Sequence, residues 1–260
     1  MKKITLVLAF LLSLISVHSQ TVMSAGDIAF MGSNTDGATN ADDSIVFVLL
    51  KDIDAATTLI FTDRGWSNTT GFSDHNGDGE FIWTSGSDRT AGDIITIDMS
   101  PLFPAAYGLI GDQLFAIQGS IAAPIFIAGL QYNEIGSGGS DGNWDGEATT
   151  NSTSELPTAL TTGDTAVRLI NALNEEQDNW QFSCTLAGST PISGTPSEIR
   201  AILHNRAYWK SDDSSQFLPA LEASCSVVLT PVDNTPPNVT IEQATSQVDP
   251  TASSLKYLLV

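Results

Sequence analysis

The chain has 260 residues, of which 30 are acidic and 10 basic, and its formal net charge is −20 at pH 7. A surface of that charge repels nucleic acid and anionic membranes, so both are disfavoured as partners. Hydrophobic residues make up 42% of the chain, which is enough for a sizeable core.

Residues 1–19 have the pattern of a secretory signal peptide. Lys2 and Lys3 precede an apolar run from Leu6 to Ile15, and small residues precede a predicted cut between Ser19 and Gln20. The run is too short to span a membrane, and no later segment approaches the required length. We therefore expect a secreted or cell-surface protein without a membrane span. Cleavage leaves 8 basic against 30 acidic residues, a net charge of −22. This charge suits cation binding, and the alternative is a surface that only keeps the protein in solution.

Short β-rich runs separated by Gly, Asp, Asn, Ser and Pro clusters dominate the rest of the chain. This pattern predicts an all-β fold, a sandwich or barrel, and not an α/β fold. Helical periodicity is scarce, and short helical turns are predicted only at Ser100–Tyr107 and at Pro196–Asn205, the latter capped by Ser197 or Thr195. The predicted strands are Asp27–Met31, Ile45–Leu50, Thr58–Thr62, Glu80–Thr84, Ile94–Asp98, Gln113–Gln118, Ile125–Gln131, Ala166–Ile170, Trp180–Ser183 and Ser226–Thr230.

Three long polar loops interrupt the strands, at Ser33–Asp43, Trp66–Gly79 and Asn133–Leu156. Loops of this length without structure of their own tend to be functional or disordered. They also hold many of the carboxylates, so we expect functional residues there.

Cys184 and Cys225 are the only cysteines, and export would place them in an oxidising compartment. We therefore predict that they form a disulfide. A zinc site is the less favoured alternative, because it needs four nearby ligands and only His75 and His204 remain after signal cleavage.

The end of the chain has the pattern of a second β-domain. A turn-rich linker at 231–237 follows the main module at 20–230 and precedes an alternating segment at 238–260. We expect this segment to be the start of a truncated Ig-like domain, and hence the chain to be the N-terminal part of a longer protein.

The main module resembles a known family in three stretches: GDIAFMGSNTDG from Gly26, SIVFVLLKDIDAATTLIFTDRGW from Ser44, and GEFIWTSGSDRTAGDIITI from Gly79. They resemble an N-terminal module of large secreted bacterial surface proteins, which is remotely similar to the lamin-tail, Ig-like β-sandwich. The stretch Asn143–Leu169, which contains TSELPTALTTGDTAVRL from Thr153, resembles its second half, so the resemblance covers about residues 24–230. It implies a fold but no defined chemistry. The segment TPPNVTIEQATSQVDPTASSLKYLLV from Thr235 resembles the first strands of a bacterial Ig-like repeat of the kind found along adhesins, which implies further Ig-like domains downstream.

Two heptapeptides share the pattern D-x-N-x-D-G-E and form the candidate metal sites. Oxygen-bearing side chains at alternate positions, followed by a glycine, suit a hard cation such as Ca²⁺ in a structural role. Neither is an EF-hand loop, because the twelfth positions are Ser85 and Ser152. The alternative is that these residues only form turns. The candidate ligands are Asp74, Asn76, Asp78 and Glu80 in the first loop and Asp141, Asn143 and Asp145 in the second.

Two tryptophans in Gly-rich loops, Trp66 and Trp144, are candidate platforms for stacking carbohydrate, although loop tryptophans often fold back onto a sheet. Trp83 alternates within a strand and is expected in the core. Nucleophile-elbow and phosphate-loop motifs are absent from the sequence, and no spacing indicates a catalytic carboxylate pair. We therefore expect no catalytic residues.

The leading functional hypothesis is a non-enzymatic extracellular module acting in adhesion or display, with a carbohydrate or surface-protein ligand. The alternative is a carbohydrate-binding module attached to a secreted enzyme. A weaker third possibility is a calcium-dependent hydrolase. The sequence downstream of Val260 would distinguish these hypotheses.

Overall fold

The computed structural model describes residues 20–35, 43–75, 78–99, 112–132, 144, 148–170 and 177–231. The predicted signal peptide, the linker beyond residue 231, the segment 238–260 and the predicted turn at Ser100–Tyr107 lie outside the described residues. Within the described part of the chain, no helix has the length and apolar character needed to cross a membrane.

The described chain is mostly β-structure, as predicted, with two short α-helices. The helices are α1 (Cys184–Ala187) and α2 (Pro196–Leu203). The strands are β1 (Ile28–Asn34), β2 (Ser44–Leu49), β3 (Thr58–Thr62), β4 (Trp66–Ser67), β5 (Gly71–Phe72), β6 (Glu80–Thr84), β7 (Ile94–Asp98), β8 (Gln113–Ser120), β9 (Ala123–Gln131), β10 (Ala166–Arg168), β11 (Asn179–Phe182), β12 (Ile192–Gly194), β13 (Trp209–Asp212) and β14 (Val227–Leu229).

Two five-stranded sheets form the body of the protein. The first sheet has the order β13-β11-β1-β2-β7, and the second has the order β10-β9-β8-β3-β6. All pairings within them are antiparallel except that between β9 and β10. The chain passes from one sheet to the other after β2, β6, β7 and β10, so both sheets are built from distant parts of the sequence. Two-stranded pairs, β12 with β14 and β4 with β5, lie outside these sheets.

The main core lies between the two sheets. Phe47 of the first sheet packs against Phe61 of the second with ring centroids 5.3 Å apart, and Phe30 lies 6.3 Å from the same ring. Trp83 meets Phe47 edge-on at 5.6 Å, so its predicted core role is consistent with the structure. Each such aromatic pair adds about 0.5–1.5 kcal/mol beyond the area it buries.

The outer face of each sheet is also covered, which explains why β1 is buried along its whole length. Helix α2 and residues 217–222 lie over the first sheet, where Asn34 and Gln181 donate hydrogen bonds to backbone carbonyls of this segment. The β4–β5 hairpin and residues 148–160 cover the second sheet and enclose a smaller apolar cluster around Phe115 and Phe126. The sequence of a strand that is buried on both faces is a continuous run of apolar residues and does not alternate between apolar and polar residues.

The predicted disulfide between Cys184 and Cys225 is present, with Cα atoms 5.5 Å apart. It joins α1 to the segment that precedes β14. The outer layer over the first sheet is thereby covalently fixed at one end.

Local sequence predicted most strands closely, and Thr58–Thr62, Glu80–Thr84 and Ile94–Asp98 agree to the residue. Helix α2 begins after Thr195, whose side chain accepts a hydrogen bond from Glu198 N while the Glu198 carboxylate accepts from Thr195 N. It ends at Leu203, before the predicted Asn205. The sequence missed β4, β5, β12 and β13, so the predicted polar loop at Trp66–Gly79 contains a hairpin. These strands have two to four residues each, too few to show a period.

Candidate functional site

The first D-x-N-x-D-G-E loop lies beside Arg64, which forms ion pairs with two of the predicted metal ligands of the loop. Arg64 Nε lies 2.9 Å from Glu80 Oε2, and Arg64 Nη1 forms an ion pair with Asp74 Oδ1. The Asp74 side chain is exposed, and the hydrogen bond and charge of Arg64 lower its pKa. Both carboxylates thus have a protein counter-charge. Asn76, between them in sequence, lies outside the described residues.

A third carboxylate, that of Asp63, contacts this loop at Gly79. Asp63 directly follows β3, is 1% exposed, and accepts a hydrogen bond from Gly79 N at 2.6 Å. The hydroxyl of Thr62 donates to the Gly79 carbonyl at 2.6 Å. The end of β3 therefore binds both polar groups of Gly79 and holds the adjacent Asp78 near Asp63.

The proximity of Asp63 and Asp78 has an electrostatic consequence. Burial, with the nearby negative charge of Asp78, raises the pKa of Asp63 to about 7. Burial likewise raises the pKa of Asp78 to about 6. Near neutral pH the two carboxyl groups therefore favour binding a proton or another positive charge.

Gln113, at the start of β8, contacts Asp63 and adds an amide group beside the carboxylates of Asp63 and Asp78. Its side chain is fully buried, and its Nε2 donates to the carbonyl oxygens of Asp63 and Asn151. The Gln113 Oε1 atom and the Asp78 Oδ2 atom are both buried without a hydrogen-bond partner. Local spacing offered no reason to select Gln113 or Asp63, because neither belongs to a heptapeptide. They meet because β3 pairs with β8 in a register that sets Thr62 opposite Phe115.

The first heptapeptide contacts the segment that follows the second heptapeptide in sequence. His75 Nε2 donates to the carbonyl oxygen of Ala148, the residue after the second heptapeptide, at 2.7 Å. Asp141, Asn143 and Asp145 lie outside the described residues. Among the residues that the structure describes, no three His, Cys, Asp or Glu side chains group closely enough to hold a metal ion. Metal binding by the predicted ligands stays a prediction.

The candidate carbohydrate platforms, Trp66 and Trp144, are half-buried over the second sheet. The Trp66 ring lies 4.8 Å from Phe126 and 5.0 Å from Phe72, and Trp144 lies 5.4 Å from Phe115. Trp144 Nε1 is buried without a partner. Both rings contribute to the apolar cluster of the outer layer, and ligand stacking on them stays a prediction.

A groove of about 620 Å³ lies on the outer face of the first sheet. Its floor is formed by the outward side chains Ile94, Thr96 and Asp98 of the edge strand β7, and one wall is the segment 218–223. Leu218, 81% exposed, lies at its rim. Asp43, Asp98 and Glu222 place carboxylates in its lining, beside apolar side chains such as Ile94. The sequence contained no signal for this groove, since its two sides are more than 100 residues apart.

The wall of the groove is held at several points. The Glu222 carboxylate accepts from Ser183 Oγ at 2.7 Å and from Thr185 N at 3.2 Å, and it forms an ion pair with Lys210. Burial opposes ionisation of Glu222, but the hydrogen bonds from Lys210, Ser183 and Thr185 outweigh it and lower its pKa to about 2. Cys225, in the disulfide, lines the same groove. The concavity is therefore preformed.

In the part of the chain that the structure describes, neither His75 nor His204 is placed to act as a general acid or base. His75 is committed to Ala148, and burial, aided by the charge of Arg200, lowers the pKa of His204 to about 4. His204 is accordingly neutral at physiological pH.

No family model, curated protein or solved structure gives a significant match to this chain.

Proposed function

We propose that this protein is an extracellular, non-catalytic module of Ig-like or lamin-tail-like type that acts in adhesion or display on a bacterial surface. The observation that carries the proposal is the preformed groove beside β7, whose wall is fixed by the Cys184–Cys225 disulfide and by Glu222. A disulfide fits export, because such bonds persist in oxidising compartments. The resemblance of residues 235–260 to an adhesin repeat supports further Ig-like domains in the same protein.

The groove favours a basic, extended peptide segment of a surface protein as its ligand. Its volume falls within the range of about 300–1,000 Å³ typical of ligand sites. Asp98 places a carboxylate in the groove floor, and exposed Leu218 supplies an apolar contact. The net charge of −20 would further accelerate encounter with a positive partner.

The test is binding of the purified, disulfide-bonded protein to an array of basic, neutral and acidic peptides and to a glycan array. We expect binding to basic peptides that weakens with salt and falls in the double variant Asp98→Asn with Leu218→Ser. Asp88→Asn is the control, since Asp88 is an exposed carboxylate that does not line the groove.

Two outcomes would contradict the proposal. Peptide binding that is equal in the groove variant and the control would place the ligand elsewhere. Glycan binding that is lost in Trp66→Ala but kept in the groove variant would favour a carbohydrate-binding module.

A further inference from the structure

We infer that Asp63, Asp78 and Gln113 form a Ca²⁺ site at the end of β3, a ligand set that differs from the one predicted by the D-x-N-x-D-G-E spacing. Only Asp78 is common to both sets. The inference concerns a structural cation and is independent of the groove and its ligand.

The carboxylate pair is the first part of the argument. Asp63 is 1% exposed, and its Oδ1 atom is bound to Gly79 N, which fixes the side chain next to Asp78. Two carboxylates in one partly buried place repel each other unless a proton or a cation lies with them. The charge of Arg64 relieves this repulsion only in part, because the N–H groups of its guanidinium are bound to Asp74 and Glu80.

The amide of Gln113 is a second, independent observation in favour of a cation at this place. Its Nε2 faces three acceptors, namely the Asp63 carbonyl, Asp112 Oδ1 at 2.8 Å and the Asn151 carbonyl at 2.8 Å. Rotating the amide by half a turn would place Oε1 against all three oxygens, so its orientation is determined by the network. Oε1 is consequently a buried carbonyl oxygen with no donor to satisfy it.

An unsatisfied buried acceptor destabilises the folded state, and Asp78 Oδ2, in the residue before Gly79, is a second such atom. A cation at this place would compensate both oxygens together with the Asp63 carboxylate. A single water could donate to both acceptors but would leave the repulsion between the two carboxylates in place.

The chemistry of the donors selects the cation. Two carboxylates and a side-chain amide oxygen are ligands for a hard cation, and Ca²⁺ accepts amide carbonyls and waters in flexible geometry. Mg²⁺ demands near-ideal octahedral geometry and dehydrates reluctantly, which suits a fully buried amide ligand less well. Thiolate ligands for softer metals are absent, since both cysteines are in the disulfide.

The experiment is calorimetric titration of the metal-free, disulfide-bonded protein with CaCl₂ and, separately, MgCl₂ near pH 7.5, with melting temperatures in calcium and in chelator. The variants are Asp63→Asn and Asp78→Asn. Both keep the side-chain shape, and in Asp63→Asn the amide oxygen of the new side chain can still accept from Gly79 N. Asp74→Asn is the matched control, because it removes a carboxylate of the same loop that Arg64 already compensates.

We expect Ca²⁺ to raise the melting temperature of the wild type. Asp63→Asn and Asp78→Asn should each lower Ca²⁺ affinity by about tenfold or more, while Asp74→Asn retains it. Loss of binding in Asp74→Asn with retention in Asp63→Asn would overturn the inference in favour of the ligand set predicted from the spacing. Absence of wild-type binding at millimolar Ca²⁺, or tighter binding of Mg²⁺, would overturn it as well.

Discussion

His75 Nε2 lies 2.7 Å from the carbonyl oxygen of Ala148, a contact that joins the first heptapeptide to the residue after the second, 73 residues along the chain. It brings the first loop next to the segment that also supplies the Asn151 carbonyl to Gln113. The acidic end of the second sheet is therefore a single assembly of β3, β8 and residues 148–154. Substitutions at Asp63, Asp78 or Gln113 are expected to affect the whole assembly.

The ion-free protein should lose stability as pH rises, because of Asp63. Its folded pKa of about 7 is above the unfolded value of about 3.9, so the folded state binds the proton more tightly. The contribution is therefore favourable at low pH and is lost between about pH 4 and pH 7. In chelator, Asp63→Asn should match wild type near pH 4 and be more stable above pH 7, as measured by urea unfolding.

Asp74→Asn serves as the control for this pH series. The pKa of Asp74 is lowered by Arg64, so its neutralisation should not stabilise the protein at high pH. If the Asp63→Asn and wild-type stability curves run parallel across the whole pH range, Asp63 does not titrate differently on folding.

Glu222 should show the opposite pH dependence. Its folded pKa of about 2 is below its ordinary value of 4.5, so its contribution is present above pH 4.5 and is lost as pH falls toward 2. We expect Glu222→Gln to be less stable than wild type at neutral pH and to converge with it in acid. Thermal unfolding of both proteins from about pH 2 to pH 7 measures this, and a constant difference would refute it.

The disulfide should stabilise the fold chiefly by restricting the unfolded chain. Cys184 and Cys225 are 41 residues apart, for which the chain-entropy model gives about 4 kcal/mol. The double variant with serine at both positions should unfold at correspondingly lower denaturant concentration. Its residues 218–225 should also exchange amide hydrogens faster, because the groove wall loses one attachment. Equal unfolding midpoints for the two proteins would contradict this prediction.

Gly32→Ala should displace the layer that covers the first sheet. A Cβ atom on Gly32 would lie 2.6 Å from the carbonyl oxygen of Ala220, which is a backbone atom and has little freedom to move. We expect a loss of about 1–3 kcal/mol in the free energy of unfolding, typical of overpacking. Gly86→Ala is the control, because nothing lies within 4 Å of its Cβ position. Urea unfolding that shows equal effects for both variants would mean that Ala220 moves freely.

Much of the fold was predictable from local sequence. Alternation and β-branched residues located Thr58–Thr62, Glu80–Thr84 and Ile94–Asp98 to the residue, because each strand has one face toward the core. The cysteine pairing was also predictable, because a chain with two cysteines allows one intramolecular pairing. The sequence also selected the acidic loop at Asp74–Glu80 as a metal site, and metal binding there stays a prediction.

Tertiary structure decided which residues of that loop act together. Asp63 and Gln113 are 50 residues apart and become neighbours only through the pairing of β3 with β8, while Arg64 occupies two of the carboxylates that the local spacing had selected. Tertiary structure also decided the short strand β13, which forms by pairing with β11. It likewise decided the groove beside β7, whose wall is held by the hydrogen bond between Ser183 and Glu222. Local sequence encodes which face of a strand is apolar and where a turn is possible. Which charges neutralise one another depends on side chains that meet only after the sheets have formed, because electrostatic interactions at hydrogen-bond range depend on distance in space and not on distance along the chain.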